Sequence, residues 1–413
     1  MHEKLYGNDL LLAELSGSFA FFLKEANDDP SSHGYGLVRD KSVFAPEIAS
    51  IASVGYGLAA LVIGEKRGWI TKEYARKRAE GTLDTFLTRM EAEHGFFYHF
   101  VNLYTAQRAW NSEISIIDTA IFLCGAITAG EYFGGAVKEK AELLYRHTDW
   151  NWYTDPAVSQ FSMGYKPERG FWGHWDFFAE QLMLYVLGAG SPAHPIDRVM
   201  YDILERRRAD YGEEKDILYS WGGSLFTYQF SHAWIDFRNL RDEQGIDWFE
   251  NSVKASRAAR QYCIDRQDRF RTFGENAWGL TACVGPHGYS GSYGAKPSTT
   301  DVDADNDGTV APCGAAGSIV FTPRESMAAL AHYWNDVPGL RCVYGLRDAY
   351  NLDGDEPWIA EECIGIDKGI TLVMIENALT GLVWDCFMQN SFVQNGLKRL
   401  GFHKTATATA FTL

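Results

Sequence analysis

The 413-residue sequence predicts an all-α fold, a closed double ring of six helical hairpins with long loops forming a cleft. Apolar residues recur at helical spacing along most of the chain. The predicted helices come as pairs, one apolar all round and one amphipathic, so that one partner is buried and the other faces water. Strand-like runs are few, and no repeat of about 33–47 residues marks an α-solenoid. No low-complexity linker divides the chain, so residues 1–413 are read as one domain.

Leu11, Leu12, Leu15, Phe19 and Phe22 place the first helix over residues 9–25. Residues 33–42 read as a polar loop in which Asp40 faces a ligand. The small-residue apolar run 45–64 is expected to be a central helix. Thr71 is expected to cap a helix whose Ala79, Leu83, Phe86, Leu87 and Met90 share one face. The aromatic segment 95–100 (GFFYHF) reads as a strand or loop at a rim. Helices are predicted at 113–133 and 135–147, then, after a loop over 148–171, at 173–188, 196–209, 223–241 and 247–265. Thr322 and Pro323 open a helix through His332, and the last helices lie near 367–378 and 384–395.

Between them, residues 275–316 form a stretch too long and too Gly-rich for an ordinary connection. Gly279, Gly285, Gly288, Gly291 and Gly294 permit turns, and Trp278, Tyr289 and Tyr293 supply aromatic faces suited to a flat hydroxylated ligand. The stretch is expected to form one wall of a carbohydrate cleft, with helices on either side carrying carboxylates.

Composition narrows the partner. A net charge of −16 argues against a nucleic acid, whose phosphates need a basic patch. No apolar run approaches the roughly 20 residues of a membrane span. Hydrophobic residues make up 46 %, enough for a sizeable core, and aromatic residues 14 %, an excess that a sugar cleft would use. The N-terminus lacks the pattern of a leader peptide, so the expected location is the cytoplasm, or the periplasm or exterior if a leader has been removed. Seven Cys without a CxxC pair read as buried thiols rather than a disulfide framework.

Nucleotide fingerprints, P-loops, HExxH and GxSxG are all missing from the sequence. What recurs is a carboxylate among aromatics. Residues 110–119 (WNSEISIIDT) hold Glu113 and Asp118 behind Trp110. Residues 168–180 place Glu168, Asp176 and Glu180 amid Phe171, Trp172 and Trp175, with Asp176 and Glu180 spaced to share a helix face. Residues 226–236 supply Gln229, His232 and Asp236, and residues 365–377 supply Asp367 and Glu376. Glycoside hydrolysis needs one protonated and one ionised carboxyl group. Apolar neighbours favour the acid role, and Glu180 precedes the run QLMLYVL. Each carboxylate alone also reads as a helix cap or a buried ion-pair member; the clustering carries the functional reading. Asp303, Asp305, Asp307 and Gly308 resemble the start of an EF-hand, but Gly314 stands where its Glu belongs. No cofactor is expected, the one metal alternative being a calcium site of another geometry near Asp303, Asp305 and Asp307. His99, His174 and His232 lack metal-ligand spacing and read as substrate hydrogen bonders or structural groups.

Segments along nearly the whole chain, in collinear order, resemble the bacterial glycoamylase-like proteins of glycoside hydrolase family 144. They include SIASVGYGLAALVIGEKRGWI (50–70), SEISIIDTAIFLCGAITAGEYF (112–133), EQLMLYVLGAGSPAHPI (180–196), LFTYQFSHAWIDFR (225–238), ENAWGLTA (275–282), YGLRDAYN (344–351) and GIDKGITLVMIENALTGLVW (365–384). The resemblance implies an (α/α)6 toroid and inverting cleavage of β-1,2-glucan or sophorooligosaccharides. Two motifs depart from the family's pattern. GIDKGI carries Lys368 where the family has GIDQGP, and PRES replaces a PEE-type helix start. A Lys beside Asp367 is expected to change the local charge of the site.

The resulting assignment makes Glu180 the general acid and Asp367 or Asp118 the base or water-orienting group, with Glu113 in support. Trp110, Phe171, Trp172, Trp175, Trp278 and Tyr289 are expected to stack on sugar rings, and Asp40, Gln229, His232 and Asp307 to bind hydroxyls. A transglycosylase acting on the same glucan and a non-catalytic glycan-binding protein are the alternative readings, with an oligo- or polysaccharide as the partner in every case.

Overall fold

The structure is a computed structural model in which residues 4–405 are described. Helices dominate it. They are α1 (Gly7–Lys24), α2 (Ile51–Lys66), α3 (Lys72–Thr88), α4 (Ile116–Phe133), α5 (Gly135–His147), α6 (Leu182–Gly190), α7 (Val199–Asp202) and α8 (Phe230–Trp234). They continue with α9 (Trp248–Asp265), α10 (Val302–Asp305), α11 (Pro312–Gly317), α12 (Pro323–Asp336), α13 (Gly365–Leu379), α14 (Leu382–Met388) and α15 (Ser391–Arg399). The strands are short and pair into small antiparallel sheets of two or three.

The expected division into buried and amphipathic helices is present. In α2, α4, α6 and α13 nearly every residue is buried. Helices α3, α5, α9 and α12 bury one stripe and show a polar face to water. Their starts follow the chemistry of the sequence: Thr71, Ser115, Asp247 and Asn390 each accept a backbone N–H from the first turn of the helix they precede. Helix α2 packs on α4 and α13, α4 on α5 and α6, α6 on α15, and α11 on α12 and α13. The α2–α4 contact is backbone to backbone, since a Cβ built on Gly125 would lie 1.9 Å from the Gly55 carbonyl oxygen. Side chains close two further seams. Met183 N–H donates to Ser231 Oγ at 2.9 Å, joining α6 to α8, and Gln229 Nε2 donates to the Gly314 carbonyl at 2.7 Å, joining the start of α8 to α11.

Several expected elements differ. Residues 154–155, 160–166 and 170–174 form a three-stranded sheet where a loop and a helix start were expected. Gly170 and Gly173 take positive φ there, which turns the chain back instead of winding it. Helix α6 therefore begins only at Leu182, and Asp176 and Glu180 share no helix face. The predicted helix 196–209 shrinks to α7 and a strand at Arg208–Tyr211 paired with Glu214–Leu218. The predicted helix 223–241 breaks into a 3₁₀ turn, Leu225–Tyr228, and α8. Helix α2 starts late because Ile48–Ser50 pairs as a strand with Phe100–Asn102. The last predicted helix is divided at Asn390, which caps α15. The long stretch 275–316 is structured: it contains the hairpin Cys283–Gly285/Gly288–Ser290, α10 and α11.

Candidate active site

The N-terminal ends of the buried helices meet at a cavity of about 510 Å³. Ser50 stands just before α2 there, Asp118 lies in the first turn of α4, Glu180 stands two residues before α6, and Asp367 lies in the first turn of α13. Asp40 and Lys41 reach it from the loop between α1 and α2, a loop pinned to α13 by the Gly365 N–H, which donates to the Asp40 carbonyl at 2.7 Å. Phe226, Phe230, Ile117 and Ile366 supply apolar wall, and Trp110 and Tyr289, both more than half exposed, stand at the rim. Six of the sequence-derived candidates, Asp40, Trp110, Asp118, Glu180, Tyr289 and Asp367, thus surround one space.

Glu180 is 9 % exposed. Its backbone is clamped by Ser231, whose hydroxyl donates to the Glu180 carbonyl at 2.5 Å. Burial pushes its carboxyl up to about 7, with the nearby Asp118 charge acting in the same direction. A carboxyl raised this far can retain its proton near neutral pH, the condition for a general acid. Burial also raises Asp40, against the pull of Lys41 and His99. Asp367 is raised furthest, by burial and by the carboxyl of Asp348.

Glu113 stands behind this shell. Its Oε1 lies 2.9 Å from His99 Nδ1, which is 3.7 Å from Asp118 Oδ2. Burial alone would lower the imidazole, but Asp118, Glu113 and Asp40 together raise it to about 9. Asp118 is further fixed by Ser115, whose hydroxyl donates to its Oδ2 at 2.6 Å. Among the described residues, His99, Glu113 and Asp118 are the group with metal-ligand spacing, their ligand atoms lying within 4.8 Å of one another. With the imidazole charged, the three groups form an ion-pair knot.

Other candidates lie elsewhere. Gln229 is buried and bonds Gly314 and Ser318. His232 is buried against Ser252 at 3.0 Å, and burial lowers its imidazole to about 3, so it is a neutral structural group. Trp278 is fully buried and Trp175 nearly so, which removes both as stacking platforms. Phe171 packs on Trp152, and Trp172 lies under Arg169, both on the three-stranded sheet away from the cavity lining. Asp307 accepts from the Tyr293 hydroxyl at 2.8 Å and ties the long stretch together. Asp303 is paired with Arg266 at 2.7 Å and with Lys296, so its charge is already balanced. Glu168 and Glu376 pair with Arg108 and Arg67.

Lys368 turns away from the cavity. Its ammonium sits 2.5 Å from Glu14 Oε1 and also donates to the Leu346 carbonyl. Sequence reasoning missed Lys41, Phe226 and Phe230 in the lining, and assigned no part to Asp348. Lys41 had a readable signal, its place next to Asp40; the two Phe residues had none beyond an apolar surrounding.

A helix-rich frame with a carboxylate-lined, aromatic-rimmed cleft is the form of a glycoside hydrolase. The chain belongs to the glycoamylase family, described as "Putative glucoamylase", which matches residues 173–391. A relative from Parabacteroides distasonis, named exo β-1,2-glucooligosaccharide sophorohydrolase (non-reducing end), is 28 % identical over 407 residues, covering 88 % of this chain and 54 % of the relative. This chain thus spans about half of that relative's length. A solved protein of Bacteroides uniformis, described in the family's own words, is 28 % identical with a TM-score of 0.85, covering 98 % of this chain and 99 % of the other. A β-1,2-glucanase from Parabacteroides distasonis is 25 % identical with a TM-score of 0.85, covering 95 % of this chain and 60 % of that one.

Proposed function

We propose that this protein hydrolyses β-1,2-glucosidic bonds in β-1,2-glucan or sophorooligosaccharides by acid–base catalysis with inversion. The observation that carries the reading is Glu180, raised to about 7 in the same cavity as Asp40, Asp118 and Asp367. The sophorohydrolase and glucanase names of the relatives support the linkage. The word glucoamylase in the family's description would imply an α-glucan, and those names weigh against it.

In this mechanism Glu180 delivers its proton to the glycosidic oxygen as the bond to the anomeric carbon breaks. A water oxygen bonds to that carbon from the opposite face, and its proton passes to Asp367, with Asp118 the alternative acceptor. Asp118, held by Ser115 and His99, and Glu113 behind it fix the floor. Trp110 and Tyr289 meet sugar rings at the rim, and Asp40 binds hydroxyls. No cofactor takes part.

We infer too that the fold is an (α/α)6 toroid. Its inner members are α2, α4, α6, α8 with the 3₁₀ turn before it, α11 and α13. The contacts of α2 with α4 and α13, of α4 with α6 and of α11 with α13 support this, as do the Met183–Ser231 and Gln229–Gly314 bonds.

The test is incubation with linear β-1,2-glucan and with sophorooligosaccharides beside laminarin and starch, the products resolved by chromatography. New reducing ends from the β-1,2 substrates are expected, an oligosaccharide ladder marking endo cleavage and sophorose alone marking exo cleavage. Longer or cyclic glucans would make it a transglycosylase, binding without turnover a glycan-binding protein. Starch cleavage with both β-1,2 substrates intact would overturn the substrate.

A further inference from the structure

We propose that Asp348 is the positioning residue of Asp367: a single proton is shared between Asp348 Oδ1 and Asp367 Oδ2, and Asp367 meets the cavity as half of a singly charged pair. The proposal rests on the hydrolase reading above for its catalytic meaning, but not for the existence of the pair.

Asp348 and Asp367 are 4 % and 6 % exposed. Both line one small void beneath the start of α13. Asp348 Oδ1 and Asp367 Oδ2 are each buried without a hydrogen-bond partner. Two orphaned carboxylate oxygens in one pocket are costly, because an ionised carboxylate only accepts and burial has removed its water. One proton between them satisfies both oxygens at once, as like charges in contact cannot both be kept.

The surroundings offer no free cation for that job. Lys368 lines the same void but is taken by Glu14 and the Leu346 carbonyl. Arg347 also lines it, and its guanidinium is turned to the Ala360 and Glu361 carbonyls. Lys41 and Asp40 face Asp367 from the opposite, cavity side, and their charges oppose each other. Glu362 adds a further negative charge near Asp348, Cys283 contributes a neutral thiol, and the Cys313 thiol hydrogen-bonds Asp367 but is a weak donor without charge. Asp348 itself is immobile: its Oδ2 accepts from Val284 N–H at 2.8 Å, and its own N–H donates to the Glu362 carbonyl at 3.1 Å. Burial pushes both carboxyls up, Asp367 the further, in keeping with one retained proton.

The arrangement resolves a difficulty in the site. Burial disfavours the anion of a lone Asp367, and with it the form a base needs. In the pair, one negative charge remains at neutral pH. When the attacking water gives up its proton, that proton goes to Asp367 while the shared proton settles on Asp348, and the pair becomes neutral. Glu180 has meanwhile lost one proton to the departing sugar. Release of a proton from the pair to solvent and uptake of one by Glu180 restore both groups.

The test uses the full chain and its Asp348→Asn and Asp367→Asn variants. Glu180→Gln serves as the infrared background, because it removes the other carboxyl that titrates near neutrality. Infrared spectra of Glu180→Gln at about pH 8.5, above the Glu180 range, should show a protonated-carboxyl C=O band that disappears when Asp348→Asn or Asp367→Asn is added. On linear β-1,2-glucan, Asp348→Asn should lower kcat by roughly a hundredfold, leave KM within about twofold, and move the acid limb of the pH–rate profile to lower pH. A merely structural Asp348 would lower Tm without moving that limb. An absent band overturns the proposal even where Asp348→Asn fails to fold. So does an acid limb that stays in place in a folded, active Asp348→Asn. A wild-type chain inactive on β-1,2-glucan would sink the hydrolase reading alone, and the infrared result would still decide the pair.

Discussion

Lys368 and Glu14 form a buried ion pair 2.5 Å across, linking the first turn of α13 to α1. The cation that follows Asp367 in sequence therefore neutralises α1 rather than the cavity. Glu14 also accepts from the Leu346 N–H and from Ser18, so its lone pairs are well used. Removing one partner of such a pair leaves a naked charge in the core and costs about 3–5 kcal/mol. Lys368→Met should show that loss in urea unfolding. The double variant Glu14→Gln, Lys368→Met should recover most of it. Equal losses in single and double variants would mean that the lysine acts through packing alone.

Glu180, the proposed acid, carries a stability cost with a definite sign. Its folded value of about 7 lies above the unfolded carboxylate range, so the folded state binds more protons between the two values. Stability from this group is full at low pH and falls as pH rises from the unfolded value through about 7. The cost at pH 8 is at most about 3 kcal/mol. Glu180→Gln should accordingly abolish turnover while raising Tm at pH 8, with little change at about pH 4. The wild-type kcat/KM should fall above pH 7. A variant that is dead but no more stable at pH 8 would separate the burial of Glu180 from its role.

His99 runs the other way. Held at about 9 by Asp118, Glu113 and Asp40 against burial, it contributes stability that is complete below its ordinary value and lost as pH rises through about 9. Its imidazole proton signals should stay in the charged position across neutral pH in an NMR titration. Glu113→Gln should bring the midpoint down by about one unit or more. A midpoint near the ordinary histidine value in the wild type would dismantle the knot that orients Asp118.

The rim residues should separate binding from chemistry. Trp110 and Tyr289 are 57 % and 58 % exposed, and neither is packed into the core. Trp110→Ala or Tyr289→Ala should raise KM roughly tenfold, about 1.4 kcal/mol, with kcat nearly unchanged. Trp278→Ala should instead lower Tm by emptying a fully buried site, with any kinetic effect following from that. Should Trp278→Ala raise KM in a protein of undiminished Tm, the cleft would extend further than the cavity described.

Helix positions were legible where the signal was long and local. Thr71 caps as its chemistry dictates, and the apolar run after Ile116 is as buried as its composition implies, whereas the cap at Asn390 was hidden inside a run read as one helix. Residues 160–174 were not legible as strands, because a Gly-punctuated aromatic hairpin without clean alternation reads as a loop running into a helix start. The carboxylates Glu180, Asp118 and Asp367 stood out by their apolar neighbours. The same criterion misplaced Gln229, His232 and Trp278, since a polar or indole group at a buried seam and one at a ligand site have identical local sequence. Asp348 was invisible for a third reason: its meaning lies wholly in a partner 19 positions further along, as the numbering shows.

The Gly55–Gly125 contact sets the terms on which this cleft can be remodelled. With backbones touching, neither α2 nor α4 can take on a side chain at the seam without parting from the other, and Ser50 and Asp118 would part with them. Changes in what the cleft accepts are therefore confined to its margins, the loop bearing Lys41, Trp110 and the hairpin of Tyr289. The floor that carries Ser50 and Asp118 is fixed by that seam, and the rim is what remains free to vary.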